Sequence, residues 1–134
     1  MSKMVIRIIQ NFYALKAERL IRSGKSTQAI DIIQRLMRKC PNSVAYNLLF
    51  ADFTLFAGDH KEALAQYALS KRILEDKKLL QSDRRFLNAY INFRTLAIGY
   101  HIAGQEFENA QEFAIMINGL EAQKKFKRRF SIPE

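Results

Sequence analysis

Gly24-Lys25-Ser26-Thr27 is the one stretch of this 134-residue chain with the letters that close a phosphate-binding loop. Such a loop, G-x4-G-K-[S/T], follows a β-strand, because its backbone amides must wrap phosphates while the lysine and hydroxyl reach the γ-phosphate and Mg²⁺. The first glycine of the motif would fall on Arg19, and the residues before Gly24 have helical periodicity. We therefore read a turn here, and expect no nucleotide. The two histidines, His60 and His101, are 41 residues apart, and the single cysteine, Cys40, is elsewhere. A metal site needs three or four converging ligands, so none is expected. Glu106 and Glu108 flank Phe107 where a helix should start, a place that favours acids through the helix dipole. No Ser/His/Asp set or isolated carboxylate pair has a rationale, and the chain reads as a non-enzyme without cofactors.

The elements that must carry any site are helices. Apolar residues recur at helical spacing in almost every segment, as in Leu48, Ala51, Leu55 and again Ala63, Leu64, Tyr67, Ala68. Strictly alternating strand-like runs are lacking. The fold class is all-α. Gly24, Gly58 and Gly104 each follow a periodic segment, as helix-ending glycines do. Ser26 or Thr27, Ser43, Asp59 (with Glu62 completing a capping box) and Ser82 are candidate starts. Helices are expected near residues 3–22, 26–40, 44–57, 60–80, 83–103 and 107–118, with a further turn or two after Gly119.

At this length one domain is expected, spanning 1–134. Apolar residues make up 49% of it and charged residues 26%, a composition that folds. The net charge of +9 is unevenly placed, with seven of those units in residues 1–40 and three in 121–134 around a nearly neutral middle. A lone thiol, no signal-peptide pattern and no 18-residue apolar window point to a cytoplasmic protein.

Periodicity decides the architecture. Gly24 and Gly58 are 34 residues apart, as are Ala29 and Ala63, and Ile33 and Tyr67. A third copy reads Phe93-x2-Leu96-Ala97-x2-Tyr100-x3-Gly104, followed by Phe107 and Ala110. The second reads Phe50-Ala51, Gly58, Ala63-x3-Tyr67, and the first Tyr13, Ala17, Leu20, Gly24, Ala29-x3-Ile33, Leu36, Pro41. Over residues 10–118 this pattern resembles the tetratricopeptide repeat (TPR) family. Lys16, Asn47 and Thr54 depart from it, and repeat three follows repeat two by 46 residues, so that the second helix of repeat two is expected to be long. The boundaries are about 10–43, 44–82 and 83–119, followed by a basic C-terminal extension, 120–134.

The resemblance implies a right-handed solenoid of about three helix pairs whose first helices line a concave groove. The groove residues it implies are Ala14, Glu18 and Ile21; Leu48, Asp52, Leu55 and Phe56; and Ile91, Arg94, Ile98, His101 and Ile102. The positions at which TPR proteins place Lys, Asn or Arg to clamp a chaperone's terminal carboxylate are here Ala14, Glu18, Leu48, Leu49, Ile91 and Thr95, so no such clamp is expected, and the groove list is mostly apolar. The expected partner is another protein, through an apolar peptide or amphipathic helix, with a second copy of the chain as a competing occupant. Small TPR proteins of this size also look like bacterial type III secretion chaperones. Leu48→Asp or Phe56→Asp is expected to abolish partner capture. The other reading is a polyanion or membrane-surface binder acting through the basic N-terminal helices and the tail cations Lys124, Lys125, Lys127, Arg128 and Arg129. Phe126 and Phe130 could instead dock that tail on the last helix pair.

Overall fold

The computed structural model describes residues 3–76, 81–103, 111–112, 114–115, 118–122 and 124. Five helices run in chain order: α1 (Lys3–Arg22), α2 (Ser26–Lys39), α3 (Val44–Phe56), α4 (His60–Glu75) and α5 (Gln81–Ala103). The described residues within 111–124 are helical as well, and form α6. Each helix packs chiefly on its neighbours in sequence, α1 on α2, α2 on α3, α3 on α4 and α4 on α5.

The two short turns are built alike. Gly24 (φ 77°) and Gly58 (φ 91°) take the left-handed conformation that glycine adopts without a Cβ penalty. At the first turn the Lys25 N–H donates to Leu20 O (2.9 Å) and the Gly24 N–H to Ile21 O (3.2 Å). At the second, 34 residues on, Asp59 N–H donates to Thr54 O (3.1 Å) and Gly58 N–H to Leu55 O (3.0 Å). This paired closure of a helix C-terminus directs the amides of Gly24 and Lys25 back onto α1.

Helix starts agree with the sequence in two places and differ in a third. Ser43 Oγ accepts from Tyr46 N–H, and Asp59 Oδ1 from Glu62 N–H. Glu62 does not return the bond; its carboxylate accepts from Gln66 Nε2 instead, so the box is half closed. α2 starts with Lys25 in the cap position and no side-chain cap, so neither Ser26 nor Thr27 plays that part.

Two apolar clusters divide the molecule. The first joins Ala14, Ala17 and Ile21 of α1, Ala29, Ile33 and Leu36 of α2, and Tyr46, Phe50 and Phe53 of α3. The second joins Val44, Leu48 and Ala51 of α3 to α4, α5 and Ala122 of α6. α3 belongs to both because VAYNLLFADFTLF carries one charge, Asp52, and is apolar on nearly every side. Ala17, Ala29, Ala51 and Ala63, the small residues of the first two repeats, are fully buried, as close helix crossings require, whereas Ala97 of the third is half-buried and Ala110 lies outside the described residues. The polar departures are satisfied locally: Asn47 Nδ2 donates to Ser43 O (2.8 Å) and Thr54 Oγ1 to Phe50 O (2.7 Å).

The 12-residue surplus of repeat three adds little to α4, which stops at Glu75 with 16 residues against 14 in α2. Arg84 Nη1 donates to Leu74 O (3.2 Å), closing that end. The surplus goes into the front of α5, which has 23 residues against 13 in α3. Gly119 ends no helix. It lies within α6 pressed on Phe93, where a Cβ would overlap the phenylalanine side chain. Among the described residues no helix is long and apolar enough to cross a membrane.

Candidate functional site

Repeat spacing puts Asp52 on α3, Tyr67 on α4 and Tyr90 and Arg94 on α5, and the packing of these helices makes the four side chains converge. The Tyr67 hydroxyl donates to Asp52 Oδ1 and the Tyr90 hydroxyl to Asp52 Oδ2. Arg94 Nε stands 3.4 Å from the Tyr90 hydroxyl and 3.9 Å from Asp52 Oδ1, and its guanidinium lies over the Tyr90 ring. Burial, and then the negative charge of Asp52, hold both phenols well above the ordinary tyrosine range. Burial pulls the Arg94 guanidinium down, but Tyr90 and Asp52 more than offset it and Arg94 stays charged. Both oxygens of Asp52 accept from tyrosine hydroxyls, so this carboxylate ties three helices together. The repeat resemblance implies a groove for Asp52 and Arg94 and gives Tyr67 only a place in the repeat pattern, whereas the structure joins all three with Tyr90. The hydroxyls at 67 and 90, where phenylalanine would pack equally well, were the available signal.

The expected groove is largely filled by the molecule itself. Ala14, Ile21, Leu48, Ile91 and Ile98 are buried in the two apolar clusters and offer no surface to a partner, which corrects the apolar lining expected there. The physical reason is packing on the very face assigned to the groove: Ala14 and Ile21 of α1 are covered by α2 and α3, and Leu48, Ile91 and Ile98 lie in the cluster that α3 and α5 form with α4. Leu48→Asp consequently places a charge at a position with 0% exposure and probes folding. Glu18 pairs with Arg22 at 2.8 Å, and Leu55 is half-buried. Phe56 stands 74% exposed at the end of α3, and His101 is exposed near the end of α5. The Ile102 side chain lies outside the described residues, as do Lys125, Lys127, Arg128 and Arg129; Lys124 is exposed on α6.

The histidines, expected to be apart, are in contact: the rings of His60 and His101 stack with centroids 4.5 Å apart and planes within 11°. Antiparallel packing of α4 and α5 brings the first residue of one beside the last turn of the other. Among the described residues no three His, Cys, Asp or Glu side chains gather as a metal centre.

Open surface is found along α5 on a different stripe. One cleft of about 360 Å³ is lined by Asn92, Thr95, Leu96, Gly99, Tyr100 and Ile115. A second, of about 290 Å³, shares Asn92 and Ile115 with it and adds Arg85, Asn88, Ala89 and Asn118. α6 forms the far wall, held by the Tyr100 hydroxyl donating to Glu112 and by the Gly119–Phe93 contact. At Gly99 a Cβ would meet nothing within 4 Å, so the cleft floor is bare there. Lys71 of α4 donates to Asn92 Oδ1 from the rim (3.4 Å). The sequence reading missed this stripe because no apolar period marks a row of asparagines.

No protein-family model matches the chain, and neither a curated protein nor a solved structure matches it.

Proposed function

We propose that this chain is a non-catalytic interaction module, a degenerate TPR-like stack of helix pairs that holds a segment of a partner protein along α5. The observation that carries the reading is the joined pair of clefts between α5 and α6. Their size is that of an ordinary ligand site. The 34-residue recurrence of the glycine turn and of the buried alanines supports the TPR-like description.

Lining chemistry suggests how the segment is read. The carboxamides of Asn88, Asn92 and Asn118 each offer donors and an acceptor, which matches a peptide main chain. Leu96, Ile115 and the bare floor at Gly99 accept an apolar side chain. Three buried partner side chains would contribute roughly 1.5–3 kcal/mol each. Against this stand about 4–15 kcal/mol for lost rigid-body freedom, so affinity near micromolar is expected. A chaperone-like or adaptor role fits such a grip.

Exposed cations on the first two helices and the turn between them, among them Arg19, Lys25, Arg38 and Lys39, favour a second reading, binding of a polyanion or an anionic membrane surface. One experiment separates the two. The full chain serves as bait in an extract of its source, beside a Gly99→Leu variant that fills the cleft in open space. Loss of capture by Gly99→Leu, with helical circular dichroism intact and little change between 50 and 200 mM salt, supports the cleft. Unchanged capture by Gly99→Leu, together with an affinity that falls on the order of a thousandfold over that salt range, refutes it in favour of the cationic surface.

A further inference from the structure

The joined clefts between α5 and α6 differ in chemistry from one end to the other. Toward the end of α5 the floor is apolar, with Leu96, Ile115 and bare backbone at Gly99. Toward the start of α5 the lining turns to carboxamides, and beyond them stands Arg85. Arg85 is the one charged side chain among the described lining residues, and it is exposed. No described acid pairs with it. Lys71 adds a second positive charge at the rim, where its ammonium donates to Asn92 Oδ1 (3.4 Å). With that oxygen held, the Nδ2 hydrogens of Asn92 are left for an acceptor. The nearby acid of α6, Glu112, already accepts from the Tyr100 hydroxyl, at the apolar end. One end of the cleft is thus cationic and rich in donors, and the other takes carbon.

We propose that this cleft selects an extended acidic peptide segment, with an Asp or Glu against Arg85, Lys71 and the Asn92 carboxamide and an apolar side chain seated over Gly99. The proposal rests on the partner reading above and adds what the partner must carry. Spacing along α5 sets the register. Arg85 and Gly99 are 14 residues apart on one helix, about 21 Å at 1.5 Å per residue. An extended chain covers that distance in about six residues at about 3.3 Å each. The acid and the apolar residue therefore stand about six positions apart in the partner. Charge here supplies selection more than grip, since contacts between exposed charges are weak. Affinity consequently still changes little between 50 and 200 mM salt, as the cleft reading requires.

The test uses the full chain to select from phage displaying random dodecapeptides at about 50 mM salt, where charges are least screened. Fluorescein-labelled copies of the enriched peptides are then titrated by fluorescence anisotropy. Enriched peptides should carry Asp or Glu about six positions from Leu, Ile, Phe or Met, and replacing that acid by its amide should weaken binding roughly fivefold or more. Arg85→Glu, at an exposed position, should keep its helical circular dichroism and exchange the preference, enriching Lys or Arg while retaining the apolar residue. Acidic peptides that bind Arg85→Glu as tightly as the parent overturn the proposal. So do peptides that Gly99→Leu no longer binds but that show no acidic position, a result that leaves the partner cleft standing. Peptides that bind Gly99→Leu as well as the parent, or no enrichment at all, overturn both.

Discussion

Replacing Asp52 by alanine removes the acceptor that ties α3 to α4 and α5. It leaves the hydroxyls of Tyr67 and Tyr90, in side chains with 0% and 1% exposure, without their partner. Hydrogen bonds to a charged group are worth about 1.5–3 kcal/mol each. Two of them, less the relief of no longer desolvating a carboxylate that is 18% exposed, amount to a loss of about 3–4 kcal/mol. Total stability for a domain is about 5–15 kcal/mol, so the variant should melt about 10 °C or more below the parent. Tyr67→Phe deletes one such bond and leaves Asp52 with Tyr90 and Arg94, for about 1.5–3 kcal/mol. Urea titration followed by circular dichroism measures each, and a double-mutant cycle between 52 and 67 should return a coupling of about 1–3 kcal/mol.

The same network predicts the alkaline limb of stability. Unfolded tyrosines ionise near about pH 10, whereas folded Tyr67 and Tyr90 hold their protons well beyond that. Above pH 10 the folded state therefore binds more protons. The stabilisation is complete below that point and is lost as pH climbs toward the folded values, by up to about 2.7 kcal/mol per pH unit for the two groups. Tyr67→Phe with Tyr90→Phe should flatten that limb. A stability for Asp52→Ala within about 0.5 kcal/mol of the parent, or an unchanged alkaline limb in the double variant, would refute the reasoning.

Two further outcomes follow from local geometry. Gly119→Ala drives a methyl carbon into Phe93 and should cost about 1–3 kcal/mol. Phe93→Ala in the same chain should cost less than the two separate losses added together, as measured by thermal melting. Gly24→Ala and Gly58→Ala meet no atom within 4 Å, so each should cost only the left-handed backbone penalty of about 1–2 kcal/mol, with asparagine milder at both sites.

Much of the fold was legible because its markers are local. Gly24 and Gly58 mark helix ends through φ alone, Ser43 and Asp59 mark starts through a bond three residues long, and the repeated alanines mark close crossings. The candidate site was less legible because it depends on which way a helix faces. α3 has no single apolar stripe, so the sequence could not tell that Leu48 would be in the core and Phe56 outside. The surplus around "EDKKLLQSDRRF" could have entered α4 or α5. Only its entry into α5 sets the register that joins Tyr90 to Asp52. Gly119 read as a stop because a glycine that admits a neighbouring ring looks, in sequence, like one that ends a helix.

The neighbour-to-neighbour packing of the helices also bears on how the chain reaches this state. Most loops to be closed are short, so the entropy lost before a contact forms is small, and each hairpin can assemble as soon as its two helices exist. The bond from Tyr90 to Asp52 spans 38 residues and requires α3 and α4 to be in place already. During synthesis the first two hairpins can therefore be complete while α5 is still emerging, and Asp52 must wait, half covered, for the tyrosine that closes over it.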